Sequence, residues 1–223
     1  MRGAIYVDGF NLYHAISDLG LPHLKWIDLR RLGELIARGH ARTLERAVFC
    51  TAYFPGDHGK RVRHEAYINA LGNVGVEVKL GHTTKEPMEC KHPNCGHRWD
   101  APREKETDIN LALAVIDDAY QNRFDVAFVV TADTDQAATF RMMRDRFPEK
   151  RVVTVVPPDR SPSKHLNDLA YRKINLTVDH LDSCVFPALV QSEGRRTIAR
   201  PREYAPPQGW SILTSARPED NSN

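Results

Sequence analysis

Short apolar runs with little or no polar alternation recur along the chain at residues 4–8, 46–54, 74–80, 126–130 and 151–156. Between them, apolar positions return every three or four residues. An unbroken, β-branched run is how a strand covered on both faces reads, and a period near 3.6 marks an amphipathic helix. Leu12, Ala15, Ile16 and Leu19 predict a helix that starts near Asn11, a good N-cap type, and closes at Gly20 and Pro22. Leu29, Leu32, Leu35 and Ile36 predict a second, capped by Asp28. Further helices are expected over 60–71, from Thr107 to Tyr120 with Ile109, Ala112, Leu113 and Ile116 as its inward stripe, over 134–146, and over 164–171. An edge strand is expected at 174–178. Strands that alternate with helices require parallel crossovers, so the pattern predicts an α/β fold with a parallel sheet between helices.

The periodicity fails in two places. Residues 82–104 replace it with Pro, His, Cys, Gly and Trp, which predicts an inserted loop or small hairpin within a domain spanning 1–182. Residues 190–223 are rich in Pro, Ser and Arg and are expected to form a mobile tail. Composition adds little, with 41% hydrophobic and 27% charged residues in 223. Lys and Arg number 31 against 29 Asp and Glu, so bulk charge gives no case for a nucleic-acid partner and any such case must be local. No apolar stretch approaches the ~20 residues a bilayer span needs, and a soluble, cytoplasmic protein is expected. Four cysteines, two of them in one His-containing loop, do not make a secreted disulfide framework.

The chemistry lies where the buried strands end. Asp8 follows the first strand, and Asp133 and Asp135 follow the run Val126–Val130. Parallel strands deliver ligand-binding groups just beyond their carboxyl ends. Asp108 sits in the first turn of a crossover helix that begins at the same sheet edge. Each acid has a plain alternative: Asp8 as a turn former, Asp133 as a helix cap, Asp108 as a partner for a helix dipole, and Asn11 as an N-cap. Together they read differently. Two like charges ~4 Å apart repel by roughly 4 kcal/mol at an effective dielectric of 20, so such a group needs protons or a cation. Mg²⁺ or Mn²⁺ suits an all-oxygen donor set and supports phosphodiester hydrolysis.

Three blocks carry a resemblance: Val7-Asp8-Gly9-Phe10-Asn11-Leu12-Tyr13, Glu104-Lys105-Glu106-Thr107-Asp108-Ile109-Asn110-Leu111-Ala112, and Val130-Thr131-Ala132-Asp133-Thr134-Asp135. In this order and spacing they resemble the NYN domain, of the PIN-like ribonuclease superfamily. The resemblance covers about residues 1–180. It implies a PIN-like, Rossmann-like sheet with helices on both faces and a Mg²⁺- or Mn²⁺-dependent ribonuclease. By motif, Asp8, Asp108, Asp133 and Asp135 look like the metal-binding acids and Asn11 like the polar residue beside them. Thr131-Ala132 departs from a commoner Ser-Gly, and Gln136 stands where an apolar residue is usual.

Arg103 and Lys105, just ahead of Asp108, are candidate phosphate-binding residues, with solvated surface charge as the alternative. Lys60, Arg61, Arg63, Arg141, Arg144, Arg146, Lys150 and Arg151 are further candidates for tracking an RNA backbone, as are Arg195, Arg196, Arg200 and Arg202. Cys90, His92, Cys95 and His97 resemble a zinc knuckle without its second half; a metal-free loop and a redox pair are the other readings. An RNA-binding module without turnover and a nucleotide phosphatase are the competing functions, and self-association into a homo-oligomer is left open.

Overall fold

The computed structural model describes residues 1–53, 56–92, 94–161 and 164–210. Strand β1 (Arg2–Asp8) passes directly into helix α1 (Gly9–Asp18). A 3-10 turn at Pro22–Lys25 leads to α2 (Leu29–Ala37), where Asp28 accepts from the Arg30 and Arg31 amides as expected of its cap, and then to β2 (Thr43–Thr51). Helix α3 (His58–Asn73) and β3 (Glu77–Leu80) follow. The inserted stretch is an antiparallel hairpin of β4 (His82–Glu89) and β5 (Arg98–Lys105), in register from His82 opposite Lys105 to Glu89 opposite Arg98. Alternation resumes with α4 (Thr107–Tyr120), β6 (Val126–Val130), α5 (Ala137–Arg146), β7 (Arg151–Val156), α6 (Lys164–Leu169), β8 (Arg172–Asn175) and α7 (Val178–Asp182). A short antiparallel pair, β9 (Leu189–Val190) and β10 (Ile198–Ala199), comes last.

The six-stranded sheet has the order β3-β2-β1-β6-β7-β8, parallel throughout. The first three strands step outward from β1 in one direction and the last three in the other. The order therefore reverses between β1 and β6, and in such sheets the crevice forms beyond the carboxyl ends at that reversal. The expected α/β architecture, helices on both faces, is the one observed. Ile5, Val7, Phe49 and Phe128 pack on one face with Leu12 and Ile16 of α1, Leu29 and Leu32 of α2 and Leu71 of α3. Tyr6, Val48 and Val129 pack on the other with Leu111 and Val115 of α4, Phe140 of α5 and Leu166 of α6.

One buried acid belongs to the fold rather than to the crevice. Asp118, 1% exposed, accepts from the Tyr6 hydroxyl at 2.8 Å and from Arg46 and Arg123 at 3.0 Å each. Three donors satisfy a carboxylate whose desolvation is otherwise costly.

Several expectations need correction. Asn11 does not cap α1; Asp8 does, its side chain accepting from the Asn11 amide, so the cap lies three residues earlier and the helix starts at Gly9. The inward stripe of α4 is Leu111, Ala114, Val115 and Asp118, while Ile109 and Leu113 are 60% and 57% exposed. Strand β3 begins only at Glu77, because Gly75 sits in a turn at φ 79°. The last sheet strand lies earlier than 174–178 and is followed by α7. Residues 190–210, expected as the start of a mobile tail, are laid on the domain: Val190 is buried, and the Trp210 indole donates to Asp182 at 2.8 Å and meets His23 edge-on. Phe54, expected to end the second strand, and residues 211–223 lie outside the described residues. Among the described residues no helix is long and apolar enough to cross a membrane.

Candidate active site

Asp8 ends β1 at the reversal point and is 3% exposed. Its Oδ1 accepts from the Asn11 amide at 2.9 Å and its Oδ2 from the Thr131 hydroxyl at 3.0 Å. Only glycine fits next: a Cβ on Gly9 would stand 2.6 Å from the Cys50 carbonyl oxygen. That close approach seats the first turn of α1 on the end of β2. Across the crevice, the Asn11 side-chain oxygen accepts from the Ala132 amide at 3.1 Å, and the Thr131 hydroxyl accepts from the Asp133 amide at 3.1 Å. Asp133 in turn caps a 3-10 turn, accepting from Asp135 at 3.0 Å. Asp133 is thus a cap, as its plain reading has it, and Asp8 caps α1 rather than only forming a turn, yet each uses only part of a carboxylate's capacity of about four lone-pair sites.

Asp108 reaches the same crevice by a different route. The β4–β5 hairpin returns the chain beside Gly81, where a Cβ would lie 2.4 Å from the Lys105 carbonyl oxygen. Glu106 then adopts φ 75°, and α4 starts at once, with Glu104 accepting from the Thr107 amide at 2.7 Å. The buried Gln136 donates to the Asp108 main-chain carbonyl at 3.0 Å and accepts from Thr139 at 3.0 Å, tying the start of α4 to the segment that carries Asp133 and Asp135. Burial, followed by the charges of Asp8, Asp133, Glu104 and Asp135, pushes the Asp108 carboxyl up to about 6. Burial also raises Asp8, against the hydrogen bonds from Asn11 and Thr131, with Asp133 and Glu104 adding to the rise. Acids more than a hundred residues apart in sequence thus feel one another's charge.

Residues 2–177 match the NYN domain family. The chain belongs to that family. NYN domains have a nuclease-like fold, and the six-stranded parallel sheet flanked by helices is consistent with it. The chain is 26% identical over 240 residues to the 6-hydroxy-3-succinoylpyridine 3-monooxygenase HspA of Pseudomonas putida, covering 92% of this chain and 75% of that one. It also resembles a crystal structure of a protein of unknown function from Vibrio parahaemolyticus, with a TM-score of 0.50 at 21% identity over 79% of this chain and 93% of the other; that likeness concerns the fold alone.

Asp8 is buried, Asp108 and Asp133 are half-buried and Asp135 is exposed, and their carboxylate oxygens are a donor type that suits a hard cation. Among the described residues no three His, Cys, Asp or Glu side chains are drawn together tightly enough to hold a metal as they stand. The crevice thus has the donor chemistry for an ion, and its acids repel rather than converge on a point. Thr131, Gln136 and Glu104 were not singled out from sequence as site residues. Thr131 preserves a hydroxyl where Ser is commoner, and that hydroxyl is what joins Asp8 to the Asp133 loop.

Arg103 and Lys105 lie exposed on β5 and pair with Glu86 of β4, at 3.5 and 2.7 Å, so phosphate would compete with that carboxylate. Most of the other basic candidates also have local partners, such as Glu65 for Arg61, Glu203 for Arg63 and Asp145 for Arg144. At the hairpin tip the Cys95 thiol is lowered by the His97 amide and by the Cys90 side chain. His97 stacks on Trp99 with ring centroids 5.6 Å apart. Two thiols meet there, but the four residues Cys90, His92, Cys95 and His97 do not close into a zinc site.

A cavity of about 290 Å³ opens on the other side of the first turn of α1, beneath the 3-10 turn and α3. Gly9 and Phe10, which directly follow Asp8, line it. Its floor is Phe49 and Tyr67, edge to face at 5.8 Å, and Tyr204 of the C-terminal segment forms part of its wall. Sequence reading did not find this cavity, because its aromatic residues also fit ordinary core positions.

Proposed function

We propose that this NYN domain is a Mg²⁺- or Mn²⁺-dependent nuclease that hydrolyses phosphodiester bonds in RNA at the crevice between β1 and β6. The observation that carries the reading is that the Thr131 hydroxyl joins Asp8, at 3.0 Å, to the amide of Asp133, at 3.1 Å, where the strand order reverses, and the raised Asp108 carboxyl, pushed up by burial and the neighbouring acids, agrees with it. Asp8, Asp108, Asp133 and Asp135 are the residues to hold the ion. When bound, it supplies Lewis acidity toward the phosphodiester. Thr131 and the Asn11 amide fix the Asp8 carboxylate before substrate arrives, and Gln136 holds the start of α4 so that Asp108 faces it. Preorganised groups of this kind cost little rearrangement at the moment of reaction. Arg103 and Lys105 release Glu86 to take the strand's phosphates.

The test is cleavage of end-labelled single-stranded RNA with Mn²⁺, with Mg²⁺ and with chelator. Metal-dependent cleavage that Asp108→Asn abolishes supports the reading. Binding without cleavage favours an RNA-binding module, and release of phosphate from mononucleotides alone favours a phosphatase. A further reading comes from the Pseudomonas relative, named as a monooxygenase of a succinoylpyridine, together with the aromatic-lined cavity. Oxygen consumption dependent on a pyridine substrate, with no RNA cleavage, favours that one.

A further inference from the structure

The cavity beside α1 combines features that a simple packing defect lacks. Its 290 Å³ is about twice the ~150 Å³ that accommodates a benzene ring, enough for one mono- or bicyclic ring. The floor is rigid: the Tyr67 hydroxyl donates to the Ile27 carbonyl at 3.0 Å, which fixes its ring against Phe49. Polar groups reach in at one end, where the Thr51 hydroxyl and the His64 ring nitrogen lie 3.2 Å apart. Burial lowers His64 to about 4, so the ring stays neutral at physiological pH and offers hydrogen bonds rather than charge. At the mouth the Lys25 ammonium sits 4.5 Å over the Tyr13 ring, and Tyr13 is 40% exposed. Apolar walls with a few convergent polar groups are the usual make-up of a small-ligand site.

Its position gives the occupant. Asp8, the cap of α1, and Phe10, in its first turn, are two residues apart, one facing the acidic crevice and the other the cavity. The cavity wall begins at Gly9, the residue bonded to Asp8, so it adjoins the crevice where the nuclease reading puts a phosphate, and Lys25 adds a positive charge to its lining. We infer that the cavity is a nucleobase site, which takes one planar heteroaromatic ring of the strand by stacking and reads its edge with Thr51 and His64. This rests on the nuclease reading. The wall residue Tyr204 gives the C-terminal segment a role, since that segment completes the site.

The test is ligand-observed NMR on the full chain, with adenosine and uridine 5′-monophosphate as nucleotide probes and pyridine-3-carboxylate as a free-ring probe. Tyr13→Ala and Tyr204→Ala should each weaken nucleotide binding about 5- to 150-fold, the range for loss of one base–aromatic stack. In the cleavage assay the same variants should lose their efficiency through KM rather than kcat. Tyr13 is exposed enough for its variant to fold even if Tyr204→Ala does not. Nucleotide binding that depends on Tyr13 in a chain that cleaves no RNA upholds the cavity as a nucleotide site and overturns the nuclease reading. RNA cleavage without any mononucleotide binding leaves the nuclease standing and overturns the cavity proposal. Binding of pyridine-3-carboxylate alone, or nucleotide binding indifferent to both substitutions, also overturns it.

Discussion

The Thr131 hydroxyl donates to Asp8 Oδ2 at 3.0 Å, and both residues are buried at the point where the strand order reverses. Thr131→Val keeps the volume and removes the donor. A buried carboxylate left short of one partner costs about 1–3 kcal/mol, so the thermal midpoint should fall. Because the hydroxyl also accepts from the Asp133 amide, two acids lose their alignment together. Cleavage should drop about 10- to 100-fold, as with outer partners of metal ligands. Thr131→Ser should restore most of both, and equal activity in the Val and Ser variants would remove the hydroxyl from the mechanism.

Much of this crevice is legible in the sequence. Buried strands announce themselves as unbroken runs such as Val126–Val130, and acids placed directly after them fall at one sheet edge by topology. What periodicity cannot supply is a choice between two apolar stripes on one helix. In α4, Ile109 and Leu113 make as good a stripe as Leu111, Ala114, Val115 and Asp118, and the polar Asp118 hides the true one. Asp118 is buried only because Tyr6, Arg46 and Arg123, all distant in sequence, supply its donors. The same holds for residues 190–210, whose composition reads as tail while Val190, Tyr204 and Trp210 find partners on the domain. The cavity was invisible for a related reason, since a wall and a core position use the same side chains.

On the proposed nuclease reading, Asp108 sets function against stability. Its folded-state carboxyl titrates near 6, above the ordinary 3.8 of the unfolded chain. The folded protein therefore binds the extra proton between these values, and the cost of the ionised acid is absent below about 4 and complete above about 6. Asp108→Asn should stabilise the metal-free protein above pH 6 by roughly 1–2 kcal/mol, after discounting for partial exposure. That gain should vanish at pH 4. Cleavage should fall by more than ~100-fold, beyond what outer partners command. Urea denaturation at pH 4, 6 and 8 gives the comparison, and destabilisation at pH 8 would contradict the repulsive cluster.

On the proposed nuclease reading, metal binding is the counterpart of that repulsion. A ligand that binds only the folded state raises its stability by mass action, by ~2.7 kcal/mol at 100 times its dissociation constant. Millimolar Mn²⁺ should raise the thermal midpoint of the wild-type chain, and chelator should reverse it. The shift should shrink in Asp108→Asn and in Asp133→Asn. An equal Mn²⁺ shift in all three proteins would put the ion elsewhere.

Asp118 offers the contrasting case of an acid that serves the fold. Removing it leaves Arg46, Arg123 and Tyr6 without their shared acceptor at a partly buried place. Asp118→Ala should cost about 3 kcal/mol. The fraction that remains folded should cleave RNA with unchanged KM and kcat, since the residue has no part in the crevice. Activity measured per folded molecule, with the folded fraction taken from near-ultraviolet circular dichroism, separates the two effects.

The backbone at Glu106 aims the helix that carries Asp108. Its φ of 75° is a left-handed conformation that costs an ordinary side chain about 1–2 kcal/mol, and its contact with the His82 ring at 3.2 Å lies half exposed, which returns at most about 1 kcal/mol. Glycine adopts this conformation freely, though it also loosens the unfolded chain. Glu106→Gly should therefore be close to neutral or slightly stabilising and keep full activity. A β-branched side chain is a true outlier there. Glu106→Val should destabilise the protein by more than about 1 kcal/mol, and any relief it finds must rotate the first turn of α4 and move Asp108 away from Asp8. Its cleavage rate should fall while that of the glycine variant holds, and equal rates in the two would mean that the conformation at residue 106 does not set the position of Asp108.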